Sequence, residues 1–312
     1  MKVGIKAYIA MSVAMTTVGS SIVVSTWVVE VFPIYLASLL RFGLASILLI
    51  LILMMKEGFP KLGIKEFLLL LLQALTGIFL FNICLLVGLK MTSAVESGII
   101  TSTTPIAIAL LSLIFFREKM TTRSWIGVVM AVIGIATIQL LDTVGESDQG
   151  RGITLLGYAL LCIAVIGEAL FTLIGKRLTG TMSPLAITTY VTIWGFILFL
   201  PMGMVQAISF DFRGPSYIDW LSIAYLAIVV TVIGFMLWYY GISTVSTGTS
   251  ASFTGIIAVS SLLLSNLFLH EPMGWNHIGG MIIVIGAVLF TAQSEKHSKT
   301  RTLEYEMVDQ IL

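Results

Sequence analysis

Apolar residues occur along this chain in long runs, each closed by a cluster of charges, prolines or glycines. The runs lie near residues 7 to 27, 34 to 55, 66 to 89, 94 to 116 and 124 to 141, then 152 to 174, 184 to 207, 218 to 241, 246 to 269 and 275 to 293. A hydrocarbon core of about 30 Å is crossed by about 20 apolar residues of helix, and these runs have that length to within a few residues. They lack the alternation of barrel strands, and an open strand in lipid would leave backbone polar groups unpaired. The pattern predicts an all-α integral membrane protein with ten transmembrane helices.

Composition agrees. Of 312 residues, 58% are hydrophobic and 11% charged, with a mean hydropathy of +1.05, too apolar for a soluble surface. No basic stripe points to nucleic acid. Cys84 and Cys162 lie inside apolar runs, so they read as packing residues rather than as a disulfide framework or metal site. Met1 to Lys6 followed by an apolar run has the look of a signal peptide, but nine further spans and no clear cleavage site favour an uncleaved first helix.

Lysine and arginine set the orientation. With a cytoplasmic amino terminus, the inner segments hold thirteen: Lys2, Lys6, Lys56, Lys61, Lys65, Arg117, Lys119, Arg123, Lys176, Arg177, Lys296, Lys299 and Arg301. The outer loops hold three, Lys90, Arg151 and Arg213, and Arg41 lies within a span. This bias predicts both ends in the cytoplasm of a cell-membrane protein. Residues 294–312 are polar and read as a mobile cytoplasmic tail.

The two halves also resemble each other. Glu118-Lys119-Met120, then Gly127, are matched 153 residues later by Glu271-Pro272-Met273, then Gly280, while Pro33 and Pro184 open the second and seventh spans 151 residues apart. The stretches Leu86 to Ala94 and Tyr239 to Thr247 precede the fourth and ninth spans alike. The expected units are residues 1–145 and 150–293, five helices each. Because five is odd, the second unit enters the membrane from the opposite side, giving an inverted pair. The loops fit: Arg117, Lys119 and Arg123 surround Glu118, whereas His270 and His277 surround Glu271 with no lysine or arginine.

Ten helices in two fives, Arg117-Glu118 and His270-Glu271-Pro272 closing each fourth helix, Ser93-Ala94 opening the first of these and Pro105 within it, resemble the drug/metabolite transporter superfamily, EamA family. The resemblance runs to about Thr291. It implies a central pathway between the halves and transport, commonly export, of small metabolites such as amino acids or related compounds. Pro105 corresponds to Ala258, so the proline has no counterpart in the second half.

Glu168 is the most informative residue. It lies eight residues before Lys176, about 12 Å of helix, and a carboxylate at such depth costs about 2.5 to 3.5 kcal/mol unless it faces a partner or an aqueous path. It reads either as a proton-titrating or cation-binding group or as a structural carboxylate between helices. Arg41 sits one or two turns into the second span, and either snorkels to the interface or offers its planar fork to a carboxylate. Glu96, at the start of the fourth span, fits a helix amino terminus or a substrate contact. Glu118 and Glu271 end helices, where the dipole disfavours them, so with Pro105 they read as helix-end or gate residues.

Gln73, Asn82, Ser260, Ser261 and Asn266 offer neutral hydrogen bonds within the bundle, most of them joining helices at about 0.6 kcal/mol each, with Asn82, Ser260 and Ser261 as candidates to line a substrate or proton pathway. Trp238, Tyr239 and Tyr240 read as interfacial anchors, and Trp194 with Tyr190 as packing or lining. Gly279, Gly280 and Gly286 imply close helix packing, within the chain or between the protomers of a homo-oligomer.

No G-x-x-x-x-G-K-[ST] loop and no H-E-x-x-H occur, so neither ATP-driven pumping nor a cofactor is expected. The sequence supports a secondary transporter, expected to export a small metabolite or drug-like molecule and to couple to protons through Glu168 or to run passively. An intramembrane enzyme would need a second reactive side chain beside Glu168, and none is evident in its half. A non-transporting sensor or scaffold would bind a partner through residues 294–312.

Overall fold

The computed structural model describes residues 5–91, 100–117, 120–141, 155–270 and 273–309, and among them every regular element is helical. The first half contains α1 (Ile5–Val31), α2 (Ile34–Lys56), α3 (Ile64–Ala74), a π-helical segment (Leu75–Leu80), α4 (Phe81–Met91), α5 (Thr104–Phe116) and α6 (Thr122–Leu141). The second contains α7 (Leu155–Leu178), α8 (Pro184–Ile208), α9 (Tyr217–Tyr225), a second π segment (Leu226–Gly234), α10 (Phe235–Ile242), α11 (Thr247–Phe253), α12 (Gly255–Leu269) and α13 (Trp275–Asp309).

Eight helices among the described residues are long and apolar enough to cross a membrane: Ile5–Val31, Ile34–Lys56, Ile64–Gly88, Leu155–Leu178, Pro184–Ile208, Tyr217–Ile242, Thr247–Leu269 and Trp275–Gln293. At the positions of the expected fourth and fifth spans lie two shorter apolar helices, Thr104–Phe115 and Thr122–Ile138. In lipid such runs become helices because only internal hydrogen bonding satisfies the backbone. Their ends follow local chemistry. Ser183 caps α8 by accepting from Ala186 N at 3.1 Å, with Pro184 preset at the first helical position. Ser216 and Asp219 form a reciprocal capping box at α9.

The helical stretches around Pro105 and around Thr254 are both interrupted, by different means. Pro105 has no N–H for Thr101 O, and Thr104 Oγ1 donates to that carbonyl at 3.0 Å instead, just after the break at Thr103. In the second half the break falls at Thr254, whose hydroxyl donates to Ala251 O at 2.7 Å, with Gly255 beginning α12. The discontinuity that a lone proline marks in the first half is thus present in both. The final helix also differs from expectation, since the polar tail continues α13 to Asp309. No glycine follows Gly286 and no proline follows Pro272, so nothing in the sequence stops the helix.

Two non-glycine residues take left-handed backbone angles, Arg117 (φ 52) after α5 and His270 (φ 57) after α12. Their N–H groups donate to Ser112 O and Ser265 O respectively. Such a cap favours glycine, and an L side chain there costs about 1 kcal/mol. Arg117→Gly and His270→Gly are each expected to raise the apparent melting temperature in detergent; an unchanged or lower value would remove strain from the description of these caps.

Helices pair closely through small residues. α6 lies along α13, where a methyl group on Gly280 would come within 2.8 Å of Gly134 O. α2 lies along α8, α1 packs on α12 and on the α9–α10 column, and α7 packs on α5 and on the α3–α4 column.

Candidate functional site

The largest buried cluster joins α1, α3, α7, α8 and α10 toward the end of the bundle that carries Lys56, Lys65, Lys176 and Arg177. At its heart Gln73 Nε2 donates to Phe171 O at 2.8 Å and to Tyr239 Oη at 2.9 Å. Gly175 makes room: a methyl group there would meet the Tyr239 ring at 2.6 Å and Gln73 Nε2 at 2.7 Å. Phe171 and Phe235 lie 5.5 Å apart between centroids, and Phe171 and Tyr239 6.0 Å. These side chains form a packed floor across the bundle. The expectation that Trp238 and Tyr239 are interfacial anchors is therefore corrected. They are 3% and 0% exposed, because the phenol finds its polar partner in Gln73 rather than at a headgroup, and only Tyr240, at 42%, faces outward.

Gln73 Oε1 is buried and has no hydrogen-bond partner among the described residues. Tyr239→Phe removes the acceptor of one Gln73 N–H as well. That change should cost about 1 to 3 kcal/mol, read as a lower melting temperature in detergent. Equal stability of the two proteins would mean that this contact contributes nothing.

One turn away from the floor, on the side opposite Lys176, stands Glu168. Its Oε2 accepts from Thr104 Oγ1 at 3.1 Å, Oε1 has no hydrogen-bond partner among the described residues, and the side chain is half-buried. Thr104 is presented by the break before Pro105. Gly167 brings α7 onto the first π segment, with Thr76 O only 2.4 Å from where a methyl group would sit.

Arg41 turns inward from α2. Its Nε donates to Thr231 Oγ1 at 2.8 Å, and its guanidinium carbon lies 5.2 Å from the Phe42 ring centre. Thr231 is fully buried in the second π segment, where its hydroxyl donates to Leu226 O, five residues back, at 2.9 Å. A snorkelling guanidinium would not be held by a buried threonine. Arg41 and Glu168 are each bonded to a hydroxyl and not to each other.

The other candidates take local roles. Asn82 Nδ2 donates to Ile78 O at 2.5 Å, at the exit of the first π segment. Ser260 donates to Ile256 O at 2.7 Å and packs where α12 meets Gly19 of α1, and Ser261 donates to Ala258 O at 3.1 Å. Trp194 meets Phe67 edge-on at 5.2 Å. Tyr190 donates to Pro60 O at 3.2 Å, beside Ser183, which donates to Glu57 at 2.5 Å. These bonds tie the segment before α3 to the start of α8 around a polar depression of about 280 Å³ that includes Glu66 and Lys61. Glu96, Glu118 and Glu271 lie outside the described residues.

Apolar helices of membrane length around buried charge define a multi-pass membrane protein. The model of the EamA-like transporter family matches residues 5–140 and again 155–293, and the chain belongs to that family. It is a transporter rather than an enzyme. The chain is 44% identical over 291 residues to the "Uncharacterized transporter YetK" of Bacillus subtilis, covering 93% of this chain and 88% of that one. It is 26% identical over 250 residues to "Uncharacterized transporter YyaM" of the same organism, covering 80% and 81%. With the "Probable terminal-alkyne amino-acid exporter" of Streptantibioticus cattleyicolor it shares 22% over 220 residues, 70% of this chain and 71% of that one. A crystal structure with 15% identity superposes with a TM-score of 0.74 over 93% of this chain and 98% of that one, a likeness of fold.

Proposed function

We propose that this chain is a secondary transporter that exports an amino acid or related small metabolite across the cell membrane by alternating access. Ten spans form two inverted five-helix units, residues 1–145 and 150–293, with both termini and the 294–312 tail cytoplasmic. The carrying observation is the correspondence between the units. The π segments begin at Leu75 and Leu226, 151 residues apart, and the left-handed caps Arg117 and His270 are 153 apart. Pairing is reciprocal: α1 packs on the ninth span and on the α9–α10 column, as α7 packs on α5 and on the α3–α4 column. The family match to two successive segments supports the same division.

With lysine-rich loops inside, the Gln73–Tyr239 floor closes the cytoplasmic half, and Glu168, Thr104 and Asn82 stand on its outer side. Glu168 is the candidate for a proton or a substrate cation. The amino-acid exporter among the relatives supports the substrate class.

Purified protein in liposomes tests this. Loaded radiolabelled amino acids should exchange across the bilayer faster than in protein-free vesicles. Absence of exchange over the common amino acids, nucleosides and organic cations would reject the reading.

A further inference from the structure

We infer that Arg41 and Glu168 are the two poles of one substrate site, which takes a zwitterion by its carboxylate and its ammonium group. The inference rests on the transporter reading above and assigns the chemistry of that site.

Depth is the first support. α7 and the α9–α10 column run parallel, since α8 returns between them, and the Phe171–Phe235 ring pair fixes their relative height. Glu168 precedes Phe171 by three residues and Thr231 precedes Phe235 by four, so both stand about one helical turn, about 5 Å, to the same side of the rings. Arg41 is bonded to Thr231, which brings its guanidinium to that level. A cation and an anion thus occupy one depth on one side of an aromatic floor.

The second support is unused bonding capacity. Arginine has five N–H donors, and among the described residues only Nε of Arg41 is engaged. Arg41 is half-buried, and its terminal nitrogens have no hydrogen-bond partner among the described residues. Glu168, half-buried as well, spends one oxygen on Thr104 and has no further hydrogen bond among the described residues. Each charge is oriented by a threonine, and neither neutralises the other. With Nε held by Thr231, the edge formed by the two terminal nitrogens of Arg41 is left to match a carboxylate, and the second oxygen of Glu168 matches an ammonium. The floor rings supply an apolar face for the body of the ligand.

The test uses the full-length protein in detergent and reads binding by thermal shift. The twenty common amino acids are screened, and each binder is compared with its decarboxylated amine and its deaminated acid. At least one amino acid should stabilise the protein, with both analogues binding about tenfold or more weakly. Arg41→Gln should weaken the amino acid by about tenfold or more while leaving the amine nearly unchanged, and Glu168→Gln should do the same with the acid as the insensitive analogue. Thr231→Val, which keeps the charge and loosens its anchor, should give a smaller loss of the same kind, and serves where Arg41→Gln does not fold. Amine and amino acid binding equally, variants that leave the preference intact, or no amino acid binding at all would overturn the assignment. Counterflow in proteoliposomes separates the two levels. Flux that is indifferent to Arg41 leaves transport standing without this site, whereas no flux of any solute removes the reading beneath it.

Discussion

Glu168→Gln should reduce transport by about tenfold or more while leaving the protein expressed, folded and inserted. The substitution keeps the shape of the side chain, and its amide still offers an oxygen to Thr104 Oγ1. What it removes is charge, and an interaction with a charged group contributes about 1.5 to 3 kcal/mol. A structural carboxylate would behave differently: stability would fall and flux per folded molecule would not. Flux and melting temperature measured on the same preparation therefore separate the two roles, and unchanged flux with unchanged pH dependence would return Glu168 to a packing role.

Gly167→Ala is the second large effect, on stability. The added methyl group would lie 2.4 Å from Thr76 O, a backbone atom that cannot rotate away, so α7 and the first π segment must separate. Overpacking of this kind costs about 1 to 3 kcal/mol. A drop of several degrees in melting temperature is expected, with weakened transport because Glu168 is the next residue. Gly279→Ala is the control, since nothing lies within 4 Å of its added methyl group. Equal stability of the two variants would contradict the close crossing of α7 on the π segment.

Much of this architecture is legible in the sequence, because lipid imposes a single dominant rule on it. Runs of apolar residues of spanning length fix helices, and Pro33 and Pro184 fix where the second and seventh begin. The depth of Glu168 is legible by counting residues to Lys176. Partners are not. Thr104 and Thr231 are ordinary hydroxyls in the sequence, and only tertiary packing sets them on Glu168 and Arg41. Trp238 and Tyr239 have the composition of an interfacial belt, and what distinguishes them is Gly175 and Gln73 on other helices, a contact without local signature. The break at Thr254 is hidden for a similar reason, since a threonine bonding back to a carbonyl leaves no mark as plain as proline. The π segments likewise come from apolar stretches that read as plain α-helix.

In the proposed mechanism, opposite orientation of the halves lets a shared pathway open alternately to the two faces. Single cysteines placed at Arg117 and at His270, in a background lacking Cys84 and Cys162, can be labelled in intact cells with a membrane-impermeant maleimide. Labelling from outside is expected at His270 alone, with Arg117 reached only after the membrane is opened. Both positions reacting from one side would contradict the opposite orientation of the halves.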